Sequence, residues 1–372
     1  MNVTPWSSTV GRAAKVVSPA PRDLWRAALS ADPGALLSHT PEWIDMICAV
    51  DGWTDASRVY VWPSGRHVVL PMVAKRICNL NIIEESLPQG WGFGGLVGAE
   101  VTPDEVATVC ADLARQRLLR LRVCPNSLQG SAWTDGIANN LRGAVTIPRR
   151  AHAIDLDGGT DAVWKRFSDN ARRGIRKAEK QSLDVECDTT GRSLSVFNDL
   201  WLLSTQRWAR QQQRPVWFVR SQGNRVNPPT RWQQIAERTA GATSIWVARH
   251  CGEPVAAIVV LRGPNDHYTR GAMNKELAGP TRANFLLHWL AIQDACRRGA
   301  RWYQMGQSGW GDDQVSRFKE NFGAQAYEFP ELWLETFPIT RLVRVARGIV
   351  KRLYRFTRCE VDPEPGTRDG RS

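Results

Sequence analysis

Residues 297–323 read R-R-G-A-R-W-Y-Q-M-G-Q-S-G-W-G-D-D-Q-V-S-R-F-K-E-N-F-G. A helix ends at Gly299 and a short strand is predicted over 301–305. Gly306, Gly309 and Gly311 free the backbone to bend where that strand stops. An amphipathic segment carrying Phe318-Lys319 then closes at Gly323. Strand ends that open into Gly-rich turns are where α/β proteins hold ligands.

The surrounding pattern extends this unit. Strands are predicted at 151–156, 183–187, 244–249, 254–262, 267–273 and 302–305, with a last one near 327–334. Helices are predicted over 160–181, 194–210 and 285–298, with a short one from 230. Loops are predicted from 211 to 229 and over 276–284. Several strands in a row, then a helix and another strand, give a mixed α/β sheet and not a doubly wound parallel one.

The first half repeats the theme. Strand, turn and strand centred on Gly65 match the same pattern centred on Gly252, half a chain away. A helix feeding a strand follows in each half, from Ala111 and from Gln293. A chain of 372 residues exceeds one ordinary core. The expected organisation is an N-terminal extension at 1–20, domains at 21–150 and 151–340, a helix at 341–358 and a disordered tail at 359–372. Arg149-Arg150, after Pro148, marks the boundary between the domains.

Hydrophobic content of 42% with 23% charged residues excludes wholesale disorder. Eight cysteines without a C-x-x-C pair read as reduced, individually buried thiols, and six histidines without ligand spacing give no metal site. No signal core or membrane-length apolar run is seen, so a cytoplasmic location is expected. The net charge of +12 is uneven. Arg341, Arg344, Arg347, Lys351, Arg352, Arg355 and Arg358 crowd 341–358 with no acid among them. Leu342, Val345, Ile349, Leu353 and Phe356 share one face of that helix. Contact with RNA, peripheral contact with the inner face of the membrane, and docking on its own domain all remain open.

Four stretches carry a family resemblance: N-A-R-R-G-I-R-K-A-E-K-Q-S-L-D-V from Asn170, H-Y-T-R-G-A-M-N from His267, P-T-R-A-N-F-L-L-H-W-L-A-I-Q-D-A-C-R-R-G from Pro280, and M-G-Q-S-G followed by R-F-K-E-N-F-G from Met305. In this order they resemble the FemAB-like branch of the GNAT acyltransferase superfamily. The first half is similar only in its strand–turn–strand pattern and in L-P-Q-G-W-G-F-G-G from Leu87. The resemblance implies two tandem GNAT-like domains that transfer an acyl group to an amine. The donor it implies is either an acyl-CoA or an aminoacyl-tRNA, as co-substrate and not as a tightly bound cofactor. A small molecule or a cell-envelope precursor would supply the amine.

The same resemblance suggests site residues. Lys319 matches the lysine of the family's F-K pair and would stabilise the donor ester or its leaving group. A cleft-facing Lys319 predicts that Lys319→Ala leaves folding little changed. Gly279, Thr281, Arg282 and Asn284 stand where GNAT enzymes hold the CoA pyrophosphate. One glycine and a proline replace the family's Gly-rich loop here, which tips the donor towards aminoacyl-tRNA. Arg172, Arg173 and Arg176 would hold an anionic acceptor or RNA, or form a solvated helix face. Tyr268 would orient the acceptor amine, with Arg270 on the same strand as a further anion contact. Asp312, Asp313 and Glu320 are candidates to take the amine proton. Trp91 and Phe93 are expected to expose aromatic faces at the domain junction. A non-catalytic RNA- or membrane-binding protein on the same fold is the alternative from another class.

Overall fold

The computed structural model describes residues 14–336, apart from 79, 117, 139–143, 212, 227, 240 and 312. The basic helix at 341–358, the tail at 359–372 and Asp312 therefore lie outside the described residues, as do residues 1–13.

The first half opens with β1 (Lys15–Val17), α1 (Arg22–Ala31) and α2 (Pro41–Asp51). Helix α2 starts where the Thr40 hydroxyl accepts from the Trp43 amide, and it stops at Gly52, which is left-handed at φ 63°. Five short strands follow: β2 (Thr54–Asp55), β3 (Arg58–Val61), β4 (His67–Leu70), β5 (Val73–Ile77) and β6 (Leu80–Ser86). Next comes α3 (Pro103–Ala114), begun by a reciprocal Thr102–Glu105 capping box. It leads into β7 (Arg120–Val123), α4 (Gly130–Ala138) and β8 (Ala144–Asp155).

The second half begins with α5 (Gly159–Arg166) and α6 (Asp169–Glu179). These two replace the single helix expected over 160–181. Phe167 is extended and buried, and Ser168 caps a new helix by accepting from the Ala171 amide. There follow β9 (Leu183–Asp188), α7 (Leu194–Gln211), α8 (Val216–Val226) and α9 (Pro229–Arg238). Helix α8 lies within the segment expected to be a loop. Three antiparallel strands are β10 (Thr243–His250), β11 (Glu253–Leu261) and β12 (Asp266–Met273). After them come α10 (Lys275–Thr281), α11 (Ala283–Arg297), β13 (Trp302–Gln307), α12 (Asp313–Glu320) and β14 (Gln325–Glu335).

Eleven strands form one mixed sheet in the order β2-β5-β6-β7-β14-β8-β13-β12-β11-β10-β9, and β1-β3-β4 form a small second sheet. The parallel pairs β6/β7 and β12/β13 are each bridged by a helix, α3 in one half and α11 in the other. In the middle, β8 and β14 pair antiparallel from Ala144↔Leu334 to Ala153↔Gln325. Strand β14 also pairs with β7, and β8 with β13. The long strand that ends each half thus lies beside the parallel pair of the other half. Arg149-Arg150 falls inside β8. Both expected hairpins form, at Gly65 and Gly252, but β3-β4 sits in the small sheet and β10-β11 in the large one.

On one face of the second half, α5, α6 and α11 bury Phe167, Ile175, Leu287 and Phe322 against the sheet. On the other face, Phe197 of α7 and Trp232 of α9 share a core with Trp25 and Trp43 from the first half. Leu36, Phe93, Cys124, Ala151 and Phe329 fill the seam. Trp91 and Phe93 do lie at this junction, but they are buried and not exposed. The Trp91 indole donates to Asp51 at 2.8 Å, and Phe93 packs between His267 and Phe329. Among the described cysteines, Cys110 and Cys124 are buried while Cys78 and Cys251 are exposed, so burial of every thiol does not hold.

Candidate active site

The parallel strands β12 and β13 pair only at Asp266↔Tyr303 and His267↔Gln304. Past those positions no ladder joins them, so their C-terminal ends form a wedge of unpaired backbone. Strand β13 shifts register against β8 between Gln304 and Gln307. Gly306 lies in this stretch at φ 72°, a conformation that L side chains rarely adopt, and a Cβ there would sit 3.3 Å from the Tyr268 carbonyl oxygen. The wedge is walled by the Tyr268 ring against the His288 ring at 4.6 Å, and His288 in turn lies 5.4 Å from Phe318 and 5.5 Å from Phe322.

Lys319 closes the end of β13. Its side chain is buried, and its Nζ donates to the Gly306 carbonyl at 2.9 Å, the Gln307 carbonyl at 2.8 Å and the Ser308 Oγ at 2.9 Å. An ammonium carries three protons, and three acceptors on one strand end receive them. The expected cleft-facing side chain is therefore corrected: it is buried against the end of its neighbouring strand. Lys319 holds the bent end of β13 in shape and fixes a positive charge beside the wedge.

A polar chain runs on from it. Ser308 Oγ is 3.2 Å from His152 Nδ1, while His152 Nε2, which makes no hydrogen bond among the described residues, is 3.7 Å from Glu320 Oε1. Lysine only donates, so Ser308 Oγ accepts from Lys319 and keeps its own proton to give; in the tautomer where Nδ1 accepts it, the imidazole proton sits on Nε2, towards Glu320. Burial and then the Lys319 charge push His152 down to about 4, and the same two causes push His267 and His288 to about 3. All three rings are neutral near pH 7 beside a fixed cation.

Strand β12 carries a bulge that the sequence does not announce. Val259 pairs with Arg270 and Val260 with Tyr268, so Thr269 is an extra residue. Tyr268 and Arg270 consequently point to opposite faces. Tyr268 packs on the α11 side, where its hydroxyl lies over Gly271; a Cβ at Gly271 would come within 2.5 Å of that oxygen. Burial raises the Tyr268 phenol to about 12. Arg270 packs on the α7 side.

The remaining predicted residues are scattered. Gly279 and Thr281 belong to helix α10 and not to a loop: Gly279 faces open space, and the Thr281 hydroxyl bonds back to the Leu277 carbonyl. Left-handed Arg282 separates α10 from α11 without a side-chain cap, and Asn284 Nδ2 meets Met273 Sδ. On α6, Ala171, Gly174, Ile175 and Ala178 are buried, which turns Arg173 and Arg176 outwards. Arg172 pairs with Asp169 at 2.7 Å. Asp313 is exposed at the start of α12, and of the carboxylates considered Glu320 meets His152. His152, His288 and Ser308 were not singled out from the sequence. Ser308 lies inside the quoted M-G-Q-S-G stretch, whereas a histidine on a central strand gives no signal of its own.

Residues 165–320 match the family model described as an acetyltransferase (GNAT) domain. No curated protein matches the chain. Among solved structures, FemX is 12% identical with a TM-score of 0.63, over 88% of this chain and 99% of that one. A conserved protein of unknown function from Bacteroides thetaiotaomicron is 9% identical with a TM-score of 0.50, over 86% and 99%. The C-terminal domain of a putative lysylphosphatidylglycerol synthetase from Agrobacterium fabrum is 12% identical with a TM-score of 0.47, over 88% and 95%. At such identities the likeness to FemX and to the Bacteroides protein is one of fold. Among the described residues no helix is long and apolar enough to cross a membrane.

Proposed function

Because this chain is a GNAT-type acyltransferase with a FemAB-like fold, we propose that it forms an amide on an amine acceptor at the wedge between β12 and β13, with aminoacyl-tRNA as donor. The observation that carries this reading is Lys319, a fixed ammonium buried at the strand end beside that wedge. In the reaction the amine nitrogen bonds to the ester carbon and the ester C–O bond breaks. The proton shed by the amine is handed on to the leaving ribose oxygen. A preorganised cation lowers the cost of the oxyanion that forms on the way. Ser308, held between Lys319 Nζ and the neutral His152 Nδ1, is the group built to pass the proton, with Glu320 at the outer end of the chain.

The choice of donor rests on the segment between β12 and α11. It forms helix α10, and Pro280 inside that helix removes an amide donor where a pyrophosphate would need one. The exposed arginines of α6 and the net charge of +12 favour a polyanionic donor. The second reading, an acyl-CoA donor, is favoured by the acetyltransferase description of the matching domain. A cell-envelope precursor or a small molecule would supply the amine.

The test offers both donors to the intact protein. Charged tRNA should bind with an affinity that falls steeply as salt rises, and it should lose its aminoacyl group faster once an amine is supplied. Thermal stabilisation by acetyl-CoA with none by charged tRNA would overturn the preference.

A further inference from the structure

The α7-facing side of β12 buries a cation that nothing described balances. Arg270 is only 9% exposed. Its guanidinium carbon lies 4.3 Å from the Trp201 ring centre, 5.6 Å from Trp232 and 5.9 Å from Phe197. Among the described residues no hydrogen bond or ion pair reaches it. Its charged neighbour is another arginine, Arg231, which is engaged elsewhere: it pairs with Asp51 at 2.7 Å and lies over the Trp91 ring at 4.9 Å. Burial, and then repulsion from Arg231, hold Arg270 down to about 10, so it stays charged at neutral pH.

Stacking on aromatic faces returns less than the desolvation of a guanidinium costs. Rings also use only the flat faces of the group. The N–H edges, which suit a planar two-oxygen partner, are left without an acceptor. A buried charge arranged this way is set for a ligand.

We propose that Arg270 is the seat of a carboxylate on the acceptor, with the acceptor's apolar body against Trp201, Trp232 and Phe197. A monoanion fits the charge count. The Arg231 charge is matched by Asp51, so among the described residues the Arg270 charge is the one left unmatched there, and a phosphate dianion would overshoot it. The position fits as well. Arg270 lies two residues along β12 from Tyr268, and the bulge at Thr269 turns the two side chains to opposite faces of a strand that past His267 no longer pairs with β13. Calling the ligand the acceptor rests on the acyltransferase reading; the anion site itself does not.

The experiment is calorimetric titration of the full-length protein with no donor present, so it is independent of any turnover. Phenylacetate serves as the carboxylate probe, phenylacetamide as its neutral isostere, and inorganic phosphate as the competing anion class. Phenylacetate should bind at least tenfold more tightly than phenylacetamide and phosphate. Arg270→Met should lose that preference, and Arg270→Lys, which keeps the charge but not the planar fork, should bind phenylacetate about tenfold more weakly. Ligand-free Arg270→Met should melt no lower than the parent, because it removes an unbalanced charge. Equal binding of acid and amide, tighter binding of phosphate, or phenylacetate binding unchanged in Arg270→Met overturns the proposal. If Arg270→Met and Arg270→Lys both fail to fold, Arg270 is a structural cation and the proposal also falls. Loss of the amide-forming reading would leave the titration as it stands.

Discussion

Lys319 holds two carbonyls and one hydroxyl at the end of β13, so its removal unmakes three hydrogen bonds at once. Lys319→Ala should therefore cost roughly 3 kcal/mol of stability, as expected when one partner of a buried charged network is lost. It should also slow transfer about a hundredfold. Urea denaturation measures the first effect, and single-turnover kinetics under conditions where the variant is folded measure the second. Unchanged stability would show that the three bonds are not held in solution. The F-K pair made this residue legible in the sequence, but its burial was not. Helix α12 puts Ser316 and Lys319 three residues apart on its inner face, and a search for apolar periodicity passes over a lysine there. His152 escaped for a related reason: a buried histidine on a strand reads as core until its neighbours across the sheet are known.

At the scale of elements, Glu331 on β14 ties the two halves together. It is buried between Arg122 of β7 and Arg149 of β8, pairing with both. Burial would raise its carboxyl, but Arg122 and then Arg149 outweigh burial and hold it below the usual range. Glu331→Gln leaves Arg122 with Glu85, at 3.7 Å, as its remaining carboxylate. The substitution should cost roughly 3 kcal/mol and lower one cooperative transition shared by both halves, followed by tryptophan fluorescence and far-UV dichroism together. Two separated transitions, with only one displaced, would show that β14 does not couple the halves. The strands around β12 and helix α11 were readable because their periodicity is clean, whereas α10 was not, since Gly279 and Pro280 read as a loop. The bulge at Thr269 was not, since no glycine or proline marks it and the pairing register that creates it belongs to β11. Helix α8 was hidden by a Pro- and Gly-containing stretch that local signals assign to a loop.

Across the whole molecule, the recurrence of helix-fed strands was legible half a chain apart, and it corresponds to the two parallel pairs β6/β7 and β12/β13. The crossing of β8 and β14 was not, because a strand's partner is chosen by three-dimensional packing and not by its own sequence. The same packing buries four histidines, His39, His152, His267 and His288, whose pKa values burial pushes down to about 4, 4, 3 and 3. Their unfolded values lie near 6.5, so between about pH 6.5 and pH 4 each takes up a proton on unfolding, and stability is lost as the pH falls. Asp32 and Asp266 act in the opposite sense. Burial raises both to about 6, so below that pH the folded state holds protons that the unfolded state does not, which stabilises it down to about pH 4. Four histidines against two aspartates leave a net uptake of about two protons on unfolding near pH 5, or roughly 3 kcal/mol of stability lost per pH unit. Denaturant midpoints measured from pH 7 down to 4.5 should fall with that slope. His288→Phe, which keeps a ring against Tyr268 and Phe318 but cannot take a proton, should flatten it by about half. A midpoint that holds steady or rises across this range would mean that the buried histidines are not kept neutral, and the electrostatic setting described for Lys319 would fall with it.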